Sequence, residues 1–238
     1  MNVQDDACGG ESTRERILKA AFQLFHEQGY HATGVATILR EAGVNPGSMY
    51  HAFPGKETLL EEVLEYALGL LGPAVMEPVE AATADPIGRV FALMEQYRDG
   101  MATAGCRMGC PMGNLALEVS DHHVAARELI HRNFAAWTAR VRGWLEAAGD
   151  RLPRALDRER LARFVLTVME GGLMQARAAG TLAPFDEAVA QLRDYVHGLE
   201  AQAAAESSRR RPMRRRAPGA RTTDHKKKAD ARSALEER

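Results

Sequence analysis

Residues 33–56, TGVATILREAGVNPGSMYHAFPGK, restrict the fold more than any other part of the chain. Val35, Ile38, Leu39 and Ala42 recur at i, i+3, i+4 and i+7, one apolar stripe of a short helix. Thr33 or Gly34 can cap its start, and Gly43 follows it where a left-handed residue ends a helix. Pro46 suits the first turn of a second helix, with Asn45 before it as N-cap. That second helix, about PGSMYHAF, must stop before Pro54, because proline disfavours helical backbone in the residue preceding it. Two short helices joined by a tight glycine-containing turn make a helix-turn-helix, whose second helix enters the DNA major groove with its N-terminal residues at the base edges.

The segment TGVATILREAGVNPGSMYHAFPGKETLL resembles the DNA-binding signature of the tetracycline-repressor (TetR) family of transcriptional regulators. Gly47, Tyr50, Phe53, Lys56 and the flanking turns together carry the likeness, which extends over about residues 12–65. Two positions depart from the usual pattern: Leu39 stands where the family commonly has alanine, and Thr37 where it often has an acid. The resemblance implies that Thr33, Ser48, Tyr50, His51 and Lys56 face double-stranded operator DNA, with Gly47 letting the backbone approach closely. Met49 and Phe53 are expected in the core. The resemblance also implies a linker helix beginning at Lys56 whose swing couples effector to DNA, and a homodimer formed by the last two long helices.

Composition agrees with an all-α protein. Aromatic residues make up 6% of the 238, alanine and leucine abound, and no convincing alternating strand is found. No apolar run approaches the ~20 residues that span a bilayer, and the opening MNVQDDACGGE is too polar and acidic for a signal peptide. A soluble cytoplasmic protein without membrane contact is expected. Residues 207–238 carry twelve Lys/Arg against four Asp/Glu, a formal +8, which leaves −9 for residues 1–206. Such asymmetry marks an appended interaction arm or a merely solvated extension.

In order, the chain reads as a disordered leader (1–11), a helix-turn-helix domain (12–56), a linker helix with an effector-binding and dimerisation body (57–205), and a disordered basic tail (206–238). Pro73 and Pro78 are expected to mark a boundary after the linker helix. Further helices are expected over 84–101, 111–120, 121–148, 157–179 and 186–205. The last two are candidates for a four-helix bundle with a second copy, Gly171, Gly172 and Ala176 allowing close approach.

Cys106 and Cys110 are candidate sensing thiols. Cys110 precedes Pro111, so it sits near a helix N-terminus, where free N–H groups and the helix dipole favour a thiolate. The alternative is that both are small apolar residues packed in the core. Their spacing has no second pair, so no metal site is read here, despite His122 and His123 downstream, and no cofactor is called for. Met94, Met101, His131, Trp137 and Met169 are candidates for an adaptable effector pocket, though core packing also accounts for them. The reading is a regulator, most simply a repressor, released by a small ligand or by modification of a cysteine. A cysteine-dependent enzyme and a tail-driven architectural DNA-binding protein are the alternatives.

Overall fold

The computed structural model describes residues 11–210, and all regular structure among them is helical. Ser12 opens α1 (Thr13–Gln28) through a reciprocal capping box: the Glu15 N–H donates to Ser12 Oγ (3.2 Å) and the Ser12 N–H to Glu15 Oε2 (2.9 Å). Gly29 ends it at φ +87. α2 (Val35–Ala42) ends at Gly43, left-handed at φ +63, and the Val44 N–H donates back to the Leu39 carbonyl. Asn45 holds the N-cap position of α3 (Pro46–Ala52) but makes no side-chain capping bond, and Phe53 turns extended before Pro54. Ile17, Phe25, Ile38, Leu39, Met49 and Phe53 form the buried centre of this head.

The body differs from expectation at one point. α4 (Lys56–Leu70) runs straight into a π-helical segment, Leu71–Met76, and then α5 (Glu77–Ala82). Pro73 falls inside the π segment. Its missing N–H and its ring would disrupt an α-turn, and a one-residue bulge accommodates both; the Glu77 N–H reaches the Gly72 carbonyl five residues back. The helical path therefore continues past both prolines, and the break comes at Thr83.

Asp85 caps α6 (Pro86–Thr103) by accepting the Gly88 N–H (2.9 Å). α7 (Pro111–Val119) is short, and α8 (Val124–Ala147) starts three residues later than expected, after a turn at His122–His123. Asp157 caps α9 (Arg158–Ala179), and Gly180 ends it in left-handed conformation. α10 (Ala183–Arg210) crosses the expected tail boundary at 206. The leader and most of the basic tail, residues 1–10 and 211–238, lie outside the described residues.

α9 and α10 pack tightly within one chain. A Cβ on Gly172 would lie 2.9 Å from the Phe185 ring and 3.4 Å from its Cα, so glycine is required for this crossing. Gly172 therefore serves packing within one chain, and Ala176 is likewise buried within it. A bidentate Arg98–Asp186 pair (2.7 and 2.9 Å) ties α6 to α10.

Candidate functional site

The outer surface of α3 is built by elimination. Met49 and Phe53 point inward and are fully buried, which leaves Gly47, Tyr50 and His51 on the outside and Ser48 half-buried between. Tyr50 is 74% exposed, an unusual position for so large a ring unless it meets a partner. A Cβ at Gly47 would meet nothing within 4 Å. The fold has no steric need for glycine there; only an object approaching from outside would.

Two expected DNA contacts are turned inward. Thr33 is 0% exposed, and its hydroxyl donates to the carbonyls of Gly29 (2.6 Å) and Leu24 (3.3 Å). It closes the end of α1 and offers nothing to a phosphate. Thr33→Val is therefore expected to lower stability by about 1–2 kcal/mol, since the Gly29 and Leu24 carbonyls lose the one hydroxyl donor they share. Thermal melting checks this, with operator affinity of the folded variant unchanged. Lys56 also folds back. Its ammonium donates to the Tyr30 carbonyl (2.5 Å) and lies 4.2 Å from the centre of the Tyr30 ring, and desolvation holds its pKa below the usual lysine range. Its charge braces the α1–α2 turn.

Beneath the head, α7, α8 and α9 enclose an open cavity of about 980 Å³. Of the five expected pocket residues only His131 lines it. Met94 and Met101 border two other, smaller clefts, Trp137 is buried against Tyr97 (ring centroids 5.4 Å apart), and Met169 is wholly buried. These four lie on faces turned to neighbouring helices. The cavity wall is instead set by Cys110, Asn114, Phe134, Thr138, Glu170 and Arg177.

Cys110 does occupy the N-cap of α7, but it is 2% exposed, and burial followed by the neighbouring Glu170 pushes its thiol well above the usual range. The N–H groups of Gly113 and Met112 pull the other way and do not compensate. Burial therefore works against the expected thiolate, and desolvation outweighs the pull of the helix N-terminus. Cys106 is buried, adopts a left-handed φ of 58, and closes α6 by donating its N–H to the Met101 carbonyl (2.8 Å). Both cysteines are free thiols.

Glu170 is the group that the sequence did not reveal. Burial raises its carboxyl to about 7, with the Cys110 thiol opposing slightly. Its carboxylate rests on the first turn of α7 where Gly113 leaves room; any Cβ at 113 would collide with Glu170 Oε2. Among the described residues Glu170 Oε1 is buried with no hydrogen-bond partner, and so is Asn114 Nδ2, although Asn114 Oδ1 accepts from Arg177 (3.1 Å).

The opposite face of α7 grips the head. Glu118 accepts the backbone N–H groups of Tyr30 (2.8 Å) and His31, and Gly29 leaves space for its carboxylate. The His26 ring Nε2 donates to the Gly109 carbonyl (2.7 Å), one residue before Cys110; burial lowers the pKa of that imidazole. One short helix thus forms a cavity wall and also holds the turn that leads into α2. Among the described residues no group of side chains is arranged to hold a metal, and no helix is long and apolar enough to cross a membrane.

Comparison with known proteins agrees with this layout. A family model described as "Bacterial regulatory proteins, tetR family" matches residues 17–63, and one described as "Tetracyclin repressor-like, C-terminal domain" matches residues 86–192. The HTH-type transcriptional regulator LmrA of Bacillus subtilis is 31% identical over 173 residues, 72% of this chain and 90% of LmrA. The HTH-type transcriptional regulator UidR of Escherichia coli is 36% identical over 214 residues, 84% of this chain and 94% of UidR. Among solved structures, a TetR transcriptional regulator from Chloroflexus aurantiacus superimposes with a TM-score of 0.68 at 27% identity, covering 78% of this chain and 94% of its own.

Proposed function

The chain belongs to the TetR family of helix-turn-helix transcriptional regulators, and from that premise we propose that it is an operator-binding repressor, active as a homodimer in the cytoplasm, that releases DNA when a small molecule occupies the α7–α8–α9 cavity. Gly47, Ser48, Tyr50 and His51 form the surface offered to the major groove. Phe164, Met174 and Tyr195, which are 45%, 57% and 49% exposed, supply apolar area on α9 and α10 for a second copy. A two-fold dimer fits a palindromic operator, each head reading one half-site.

The observation that carries the coupling is the double duty of α7. Cys110, Gly113 and Asn114 face the cavity, while Gly109 and Glu118 hold α1 and the α1–α2 turn. A ligand that displaces α7 pulls on both heads and depopulates the spacing that fits the operator. The coupling equals the ligand's differential affinity for the two states, typically about 1–3 kcal/mol.

This can be tested without knowing the ligand. Gly113→Leu forces α7 away from Glu170 and mimics the filled cavity; its operator affinity is expected to fall at least ~10-fold, the size of a typical allosteric coupling. Adding Glu118→Ala cuts the link to the head and is expected to restore most of that loss, while Glu118→Ala alone changes little. Fluorescence anisotropy on operator DNA reads all four proteins. Undiminished binding by a cooperatively melting Gly113→Leu variant would contradict the proposed coupling.

A further inference from the structure

We propose that the cavity takes an apolar molecule that ends in a carboxylate, and that Arg177 is the residue that holds the carboxylate. The inference rests on the reading of this cavity as the effector site and specifies what that site recognises.

The charge of the wall points there. Three arginines, Arg142, Arg163 and Arg177, line the cavity against two carboxylates, Glu159 and Glu170. Glu159 is shared by Arg142 (3.0 Å) and Arg163 (3.2 Å). Glu170 is withdrawn. Its Oε1 is buried, its Oε2 packs against Gly113, and burial raises its carboxyl to about 7, so near neutral pH it carries only part of a charge. Arg177 is left without a carboxylate among the described residues. Its side chain is exposed, and its Nη1 donates to the neutral amide oxygen of Asn114 (3.1 Å). That bond uses one N–H of the guanidinium; the rest of the fork is free to grip a carboxylate with two parallel bonds. A cation would enter past three arginines, and a neutral group would leave the charge of Arg177 uncompensated.

The rest of the ligand is set by the apolar wall. Leu117, Phe134, Ala135 and Ala139 line the same cavity; Leu117 is 80% exposed and both alanines are exposed, so a ligand can reach this surface. A concave site of about 980 Å³ has room for a drug-sized molecule, and such sites bury an apolar body and orient it with a few polar groups. Arg177 is also placed to pass the event on. It stands in the last turn of α9 and reaches α7 through Asn114, so a carboxylate that takes over its guanidinium acts on the helix that holds the head.

The test is isothermal titration calorimetry of the full-length protein with three probes of similar shape: 2-naphthoate, 2-naphthamide and 2-naphthylmethylammonium. The carboxylate is expected to bind at least ~10-fold tighter than the amide, the discrimination that a charge-assisted pair gives, and the ammonium weakest of the three. Arg177→Met should remove the preference for naphthoate without weakening the amide. Arg160→Met, which removes an exposed arginine of α9 that lies outside the cavity, should retain it. An amide or ammonium that binds as tightly as naphthoate overturns the proposal, and so does a preference for naphthoate that survives Arg177→Met. Absence of binding by all three overturns it together with the cavity reading beneath it. Naphthoate binding that depends on Arg177 but leaves operator DNA bound upholds the recognition chemistry and overturns the effector role.

Discussion

Gly47→Leu is expected to leave the protein as stable as the natural chain and to weaken operator binding by about 100-fold, roughly 3 kcal/mol. The stability half follows from the empty space around Gly47, where a Cβ meets nothing within 4 Å. Glycine in a helix also costs up to about 1 kcal/mol relative to good helix formers, so the substitution can raise the melting temperature slightly. The binding half follows from location. Gly47 is in the first turn of α3, beside the exposed Tyr50 and His51, where the recognition helix must come within hydrogen-bonding distance of base edges. A leucine there holds the backbone away, and the contacts of Ser48, Tyr50 and His51 lengthen together. Thermal melting and anisotropy on the same sample separate the two effects. A parallel loss of melting temperature would show that residue 47 serves the fold and not the DNA.

Glu170→Gln is expected to stabilise the protein at alkaline pH and to change little in acid. Glu170 has a carboxyl raised to about 7 in the folded chain, against 4.5 for an ordinary glutamate. Between these values the folded protein holds a proton that the unfolded chain has released, so stability falls as pH rises through this window and levels off above it. The difference amounts to about 3 kcal/mol lost by the natural chain between pH 4 and pH 8. Glutamine does not titrate, so the variant lacks this slope. At pH 8 it should melt higher by roughly 6–12 °C, on the usual scaling for a domain of this size. Melting curves at pH 5 and pH 8 check it. Parallel pH profiles for the two proteins would mean that Glu170 stays ionised in a solvated setting.

The head was legible in the sequence because its signals are local. Ser12, Gly29, Gly43, Pro46 and Pro54 each act within one helical turn, and the structure uses each as its chemistry dictates. The elements missed depend on distant partners. The N-cap position of Cys110 correctly predicts a dipole, but the dominant effects on its thiol are burial and a carboxylate from α9, 60 residues away in sequence. The clamp on α1 joins Tyr30 to Glu118, 88 residues apart, and His26 to Gly109, 83 apart; nothing in either segment announces the other. Met94, Met101, Trp137 and Met169 show why a pocket is harder to read than a core: both present apolar residues at helical spacing, and only packing tells which stripe stays uncovered. Pro73 is a local signal with a local answer other than a break: the π segment absorbs it within a continuous helical path.

The most direct measurement of the central claim is the binding of the full-length protein to DNA flanking its own gene, followed by fluorescence anisotropy at physiological salt with random-sequence duplex as competitor. The account predicts a saturable complex of one dimer on a two-fold symmetric site, at least ~1000-fold tighter than binding to the competitor, the ordinary margin of a specific regulator. Gly47→Leu should cut that preference by about 100-fold, and replacing Cys106 and Cys110 with serine should preserve it. Binding that is equally strong to every duplex and unaffected by Gly47→Leu would contradict the account.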